Sequence, residues 1–216
     1  PIADWDRYGA ELLMRSGDEK KVMRLLMNRA KGDPKRIVFA EADQLDVLKT
    51  AQIAFEEGIA QPILLGNRVL IESLMRELEF DADLPIIDQS GPESVKKREH
   101  YAERYWQGRK RKGTTLYGAN LKMRHRNYFG AMMVLEGDAD GMVSGYTRAY
   151  PTVVKPIFEV IGRASGVARA AAVHIMITPK GPYFLADTSI IIDPTAEELA
   201  AIARMTANLA VAFGFE

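Results

Sequence analysis

The residues best suited to chemistry lie between Ser144 and Lys155. Ser144-Gly145-Tyr146-Thr147-Arg148 follows the apolar pair Met142-Val143, and a helical pattern starts near Thr152. A strand, a turn and a helix in that order aim backbone N–H groups, hydroxyls and a helix N-terminus at one small volume, which suits an anion. The hydroxyls of Ser144, Thr147 and Tyr150 can donate to anionic oxygens. Arg148 offers a bidentate grip and Lys155 a point contact. An ordinary β-to-α turn with a solvated arginine accounts for the same residues. The turn is neither a Walker loop nor GxGxxG.

Other candidates are more dispersed. Gly108-Arg109-Lys110-Arg111-Lys112-Gly113 is a basic knot that could meet the phosphates of a nucleotide-like ligand such as coenzyme A, or could simply be a solvated loop. Asp138 and Asp140 precede a strand, where loop capping competes with acid–base or metal work. Asp187 follows a strand at Leu185. It could face a ligand crevice, or close an Asx-type turn. His100, His125 and His174 show no metal-ligand spacing, and His174 inside an apolar run reads as a core histidine.

The elements that must position these residues alternate. Asp18 can cap a helix carrying Val22, Leu25, Leu26 and Ala30, after a mixed opening with Trp5, Tyr8, Leu12 and Leu13 at helical spacing. Strands are expected at 36–40, 62–65 and 86–87. Helices are expected at 47–58, at 69–78 and from the loop after Pro92 through Trp106. Tyr117, Leu121, Tyr128, Met132 and Leu135 predict one long helix. The helix after Thr152 is expected to bury Val154, Ile157, Phe158 and Ile161. This β-α-β-α-β-α order predicts an α/β fold with a mostly parallel sheet and helices on both faces.

The pattern restarts after Gly162. Strands are expected at 170–178, 183–185 and 190–192, with Lys180-Gly181-Pro182 as a hairpin turn. Asp193-Pro194 predicts a helix start, with Leu199, Ile202, Leu209 and Phe213 as its buried face. The expected organisation is a first α/β subdomain over 1–163 and the start of a second, incomplete one over 164–216. Such a short second piece needs more chain or a partner subunit to complete its core.

Bulk composition narrows the partners. Lys plus Arg and Asp plus Glu both number 29, so the formal net charge is zero. A general nucleic-acid coat or an electrostatic membrane anchor is not expected. The absence of cysteine excludes disulfides, thiolate zinc sites and a cysteine nucleophile. No run of about 18 apolar residues occurs, and no leader pattern opens the sequence, so the default expectation is cytoplasmic. The chain opens on Pro1 and closes on Phe213-Gly214-Phe215-Glu216, which is expected of an excerpt from a longer polypeptide.

Five stretches together resemble the phosphotransacetylases: DPKRIVFAEAD, VLKTAQIAFEEGIAQPILLG, RKRKGTT at 109–115, ADGMVSGYTRAYPTVVKPIFEVIG at 139–162 and LADTSIIIDPTAEELAAIA at 185–203. The motif order is kept along nearly the whole chain. Within that family the chain is most similar to the C-terminal domain of bacterial NADP-dependent malic enzymes. Phosphotransacetylases usually read like VSGAxHTTAxTxRP where this chain has VSGYTRAYPTVVKP. Tyr146, Thr147, Arg148, Ala149 and Tyr150 therefore depart from the pattern, and Lys155 replaces an arginine linked in the family to catalysis. Arg109 matches a retained motif arginine. The family also carries a Ser-Arg pair and an aspartate base in a C-terminal segment that this sequence does not reach.

The resemblance implies a phosphotransacetylase-like, isocitrate-dehydrogenase-like fold. It further implies an acetyl-CoA-binding allosteric domain attached to an upstream malic-enzyme domain, not itself catalytic. NADP and a divalent metal would belong to that upstream domain, and the assembly would be a homo-oligomer. The alternative is an active phosphate acetyltransferase that forms acetyl phosphate and CoA from acetyl-CoA and phosphate. The expected ligand contacts are Ser144, Gly145, Tyr146, Thr147, Arg148, Tyr150 and Lys155, with Arg109, Lys112 and Asp187.

Overall fold

A computed structural model describes residues 18–178 and 181–215. The chain divides into two compact units. One is Ala30–Gly162, and the other combines Pro1–Arg29 with Arg163–Glu216. The expectations for residues 1–17 and for Lys180 lie outside the described residues.

Helix α1 (Asp18–Gly32) leads into the larger unit. There β1 (Lys35–Phe39), α2 (Leu45–Glu56), β2 (Ala60–Leu65), α3 (Arg68–Glu77) and β3 (Ile86–Ile87) alternate as expected. Next come α4 (Val95–Arg109), α5 (Leu116–Lys122), α6 (Arg126–Leu135), β4 (Gly141–Val143) and α7 (Tyr150–Val160). The four strands form one parallel sheet in the order β3-β2-β1-β4. Apolar runs such as Ile-Val-Phe in β1 and Ile-Leu-Leu in β2 suit a sheet covered on both faces. Val38, Ile63 and Leu65 pack with Tyr101, Phe129, Met132 and Met133 on one side. Phe39 and Leu64 pack with Leu48, Ala51, Ile71 and Phe80 on the other. Helices therefore cover both faces of a parallel sheet.

The order has a functional consequence. From β1 the chain builds outward through β2 to β3, then crosses back to add β4 on the opposite side of β1. The loops leaving β1 and β4 thus flank the point where the winding reverses. In open α/β sheets that is where ligand crevices form.

Two helical expectations are corrected in this unit. The long helix through Tyr117 and Leu135 is two helices, α5 and α6. Met123 is fully buried, Arg124 N–H and His125 N–H reach back three residues to Leu121 and Lys122, and His125 is extended before α6 starts. The seven-residue step from Leu121 to Tyr128 is two helical turns, so periodicity alone runs across the break. Helix α7 begins at Tyr150, with Pro151 in its first turn, and buries Val153 and Pro156, while Phe158 and Ile161 stay exposed.

In the second unit β5 (Val173–Thr178) and β6 (Gly181–Ala186) form an antiparallel pair, followed by α8 (Ala196–Ala212). Gly181 and Pro182 belong to β6. Residues 190–192 are not a strand, and Ile192 is fully exposed. Helix α8 is capped by Thr195 rather than Asp193. Thr195 and Glu198 close a capping box that satisfies two orphan donors, a better start than Asp193 with Pro194. On α8 Ile202 is buried but Leu199 is exposed. His174 faces solvent from β5, because strand alternation puts it on the open side. Among the described residues no helix is long and apolar enough to cross a membrane.

Candidate functional site

The β4–α7 turn holds an anion, and that anion is the chain's own Glu41. Glu41 follows β1 and is 1% exposed. Its Oε1 accepts from the N–H of Gly145 at 2.8 Å and the N–H of Tyr146 at 3.0 Å, with Ser144 Oγ 3.3 Å away. Its Oε2 accepts from Thr147 N–H at 2.7 Å and from the Thr147 hydroxyl. Gly145 permits the turn with φ +113. Burial alone would raise the Glu41 pKa, but the Thr147 hydroxyl and three backbone N–H groups outweigh it and hold the carboxyl below its ordinary value. The expected donors at Ser144, Gly145, Tyr146 and Thr147 are therefore already engaged, since a buried carboxylate must collect such donors. The Tyr146 hydroxyl donates to Asp46.

Beside this turn lies an open cavity of about 640 Å³, entirely within Ala30–Gly162. Arg148, Pro151, Thr152, Lys155 and Pro156 line it from the turn and α7. Arg124, His125, Arg126, Asn127 and Tyr128 line it from the α5–α6 junction, and Gln89 closes it after β3. Arg126 is committed, with a fork onto Asp43 at 2.7 and 2.9 Å. That hydrogen bond and charge raise its pKa against burial. Asn127 Oδ1 accepts from Ser144 Oγ at 2.8 Å. The side chains of Arg124, Arg148 and Lys155 make no hydrogen bond or ion pair with the described residues. Gln89 is only 7% exposed, and its Oε1 has no partner. Three uncommitted cations and an unsatisfied amide around one cavity suit a ligand with anionic oxygens and a polar group. Among the described residues that line it there is no carboxylate, and His125 is the side chain there best suited to take up a proton.

Behind the cavity, Glu159 of α7 gathers a partly buried polar hub. It accepts from Lys122 Nζ at 2.6 Å and from the hydroxyls of Tyr105 and Tyr128 at 2.7 Å each. Arg109 pairs with it at 3.6 Å. Despite burial, these donors pull the Glu159 pKa down to about 2. Burial and Glu159 push Tyr128 up to about 12, so it stays a donor. The same carboxylate ties α4, α5, α6 and α7 together, and Tyr128 carries it to the cavity wall.

The sequence candidates separate on this geometry. Arg148 and Lys155 share the cavity. Arg109 is a largely buried partner of Glu159, and its Nε has no hydrogen-bond partner. Lys112 is exposed in a short 3-10 turn and Tyr150 is half exposed at the start of α7; neither lines the cavity. Asp187 belongs to the other unit. It accepts from the N–H groups of Ala172, Ser189, Ile190 and Ile191 at 2.8–3.2 Å, which is the turn-closing role. Asp140 grips Arg36, which draws its pKa down to about 2, and Asp138 accepts from Tyr101 and Lys97. Sequence reasoning missed Glu41, Gln89 and the Arg124–Asn127 run. An acidic residue just past β1 at the winding reversal, and an Arg-His-Arg run between two helices, were the available signals.

The comparisons with known proteins agree with this architecture. The family described as phosphate acetyl/butaryl transferase matches residues 21–216. An NADP-dependent malic enzyme from Salmonella typhimurium is 34% identical over 100% of this chain and 29% of its own length. A phosphate acetyltransferase from Thermoanaerobacterium thermosaccharolyticum is 36% identical over 88% of this chain and 58% of its own length. The solved phosphotransacetylase from Streptococcus pyogenes superposes with TM-score 0.81 at 35% identity, over 91% of this chain and 59% of that one. A EutD phosphotransacetylase from Staphylococcus aureus gives 0.80 at 29% identity, over 93% and 60%. The chain thus spans less than two thirds of each relative, and its fold, its parallel sheet and its motifs place it in the phosphate acetyl/butaryl transferase family.

Proposed function

We propose that this chain is a phosphotransacetylase-like domain that binds acetyl-CoA and regulates an attached malic-enzyme domain without itself transferring acetyl groups. The observation that carries this reading is the cavity, where Arg124, Arg148 and Lys155 stand uncommitted around an unsatisfied Gln89. Arg148 and Lys155 would meet the anionic oxygens of the ligand, and Gln89 a polar group. Similarity to malic enzymes extends over the whole chain in three relatives, against 82–88% for four phosphate acetyltransferases. In this reading NADP and a divalent metal bind the upstream domain, and the signal passes through a homo-oligomer with two states of different acetyl-CoA affinity.

The second reading is a working phosphate acetyltransferase, favoured by the two solved phosphotransacetylase structures. One pair of assays on the full-length protein separates them. Regulation predicts an acetyl-CoA-dependent change in malate decarboxylation that is lost in Arg148→Ala/Lys155→Ala, with no acetyl phosphate formed from acetyl-CoA and phosphate. Acetyl phosphate turnover at an enzymatic rate would transfer the case to the second reading.

A further inference from the structure

Glu41 is a buried carboxylate with no ion pair among the described residues. Such a group is costly unless dipoles replace its water. Four donors from three consecutive residues, Gly145 to Thr147, converge on its two oxygens, with Ser144 Oγ 3.3 Å from Oε1. That convergence is how backbone concavities hold a bound anion. The acceptor comes from the loop after β1 and the donors from the loop after β4. These strands are sheet neighbours joined across the winding reversal, over 100 residues apart in sequence. Arg148 is the next residue after the last donor, and α7 starts two residues later with Pro151, Thr152 and Lys155 on the cavity wall. Ser144 donates its hydroxyl proton to Asn127, which lines the cavity from its other side.

We infer that Glu41 is the positioning residue of the cavity: a built-in anion that occupies the 144–147 amide concavity and thereby sets Arg148 and the first turns of α7. A corollary is that the ligand's own charge is left to side-chain cations, because the backbone donors are taken. Removing the Glu41 side chain uncovers a latent site for a small carboxylate. The effect on ligand affinity rests on the proposed function, whereas the latent site does not.

The test uses the whole chain with Glu41→Ala and the near-isosteric Glu41→Gln. Thermal midpoints are compared in sodium formate and in sodium chloride at equal ionic strength, and inorganic phosphate is titrated by calorimetry in both salts. Formate should raise the midpoint of Glu41→Ala and leave the parent and Glu41→Gln unchanged. Phosphate binding should weaken by about tenfold in both variants and recover to within about threefold in Glu41→Ala with formate. A purely structural residue would shift the midpoint without the affinity. Phosphate affinity equal to the parent's in both variants, or a formate shift shared by parent and Glu41→Ala, overturns the inference. If the parent binds no phosphate, the cavity reading fails, and the formate shift alone decides whether Glu41 fills an anion site. If Glu41→Ala does not fold, Glu41→Gln decides through its phosphate affinity or, without phosphate binding in the parent, its Gly145–Thr147 amide exchange. Exchange as slow as the parent's overturns the inference.

Discussion

Glu159→Gln isolates the charge of the polar hub while keeping its shape. Glu159 accepts from Lys122, Tyr105 and Tyr128 at 2.6–2.7 Å, and Arg109 stands 3.6 Å away. These donors lower its pKa from 4.5 to about 2. A displacement of that size corresponds to about 3 kcal/mol of native-state stabilisation. The Lys122 side chain is 32% exposed, so water screens part of it, and about 2 kcal/mol is the working figure. For a chain of this length that lowers the thermal midpoint by about 4–8 °C near neutral pH. The sign follows from the depressed pKa. The stabilisation is complete above about 4.5, where the unfolded carboxyl ionises, and is lost as pH falls through about 2. Thermal melts followed by circular dichroism should therefore show a gap between parent and Glu159→Gln that narrows steadily below about pH 4.5. A gap that is absent at neutral pH, or that stays constant on acidification, refutes the reasoning.

Three further outcomes follow from the same contacts. Arg126→Lys replaces a two-pronged grip on Asp43 by a point contact and should cost about 1–3 kcal/mol in urea unfolding; no loss would mean the fork is idle. Thr195→Ala removes the capping box of α8 and should cost about 1 kcal/mol, read as faster amide exchange in the first turn of that helix. Asp187→Ala frees the N–H groups of Ser189, Ile190 and Ile191, so their exchange should accelerate well beyond that of β5; unchanged exchange would remove the carboxylate from its turn-closing role.

What the sequence disclosed depended on how far apart the interacting residues lie. β1, β2 and the helices between them were readable because apolar spacing and the stops at Gly58 and Gly66 are local. The break between α5 and α6 was not, since Leu121 and Tyr128 stay in phase across it. Ile190-Ile191-Ile192 has strand composition, but Asp187 takes the backbone donors of Ile190 and Ile191. The 144–148 turn was singled out as a site for a ligand anion, and the structure places the chain's own Glu41 against residues 145–147. Its occupant was invisible because Glu41 lies more than 100 positions away and looks like any loop carboxylate. Arg109, placed by motif among the ligand contacts, is largely buried against Glu159 by tertiary packing that no spacing rule reveals. Arg148 and Lys155 survive as cavity residues, joined by Arg124 and Gln89.

The most direct test is a calorimetric titration of acetyl-CoA into the parent chain and into Arg148→Ala/Lys155→Ala. The cavity account predicts saturable binding by the parent and a loss of about tenfold or more in affinity when the two cations are removed. Saturable binding that survives the double substitution unchanged, or no binding by the parent at millimolar ligand, would contradict it.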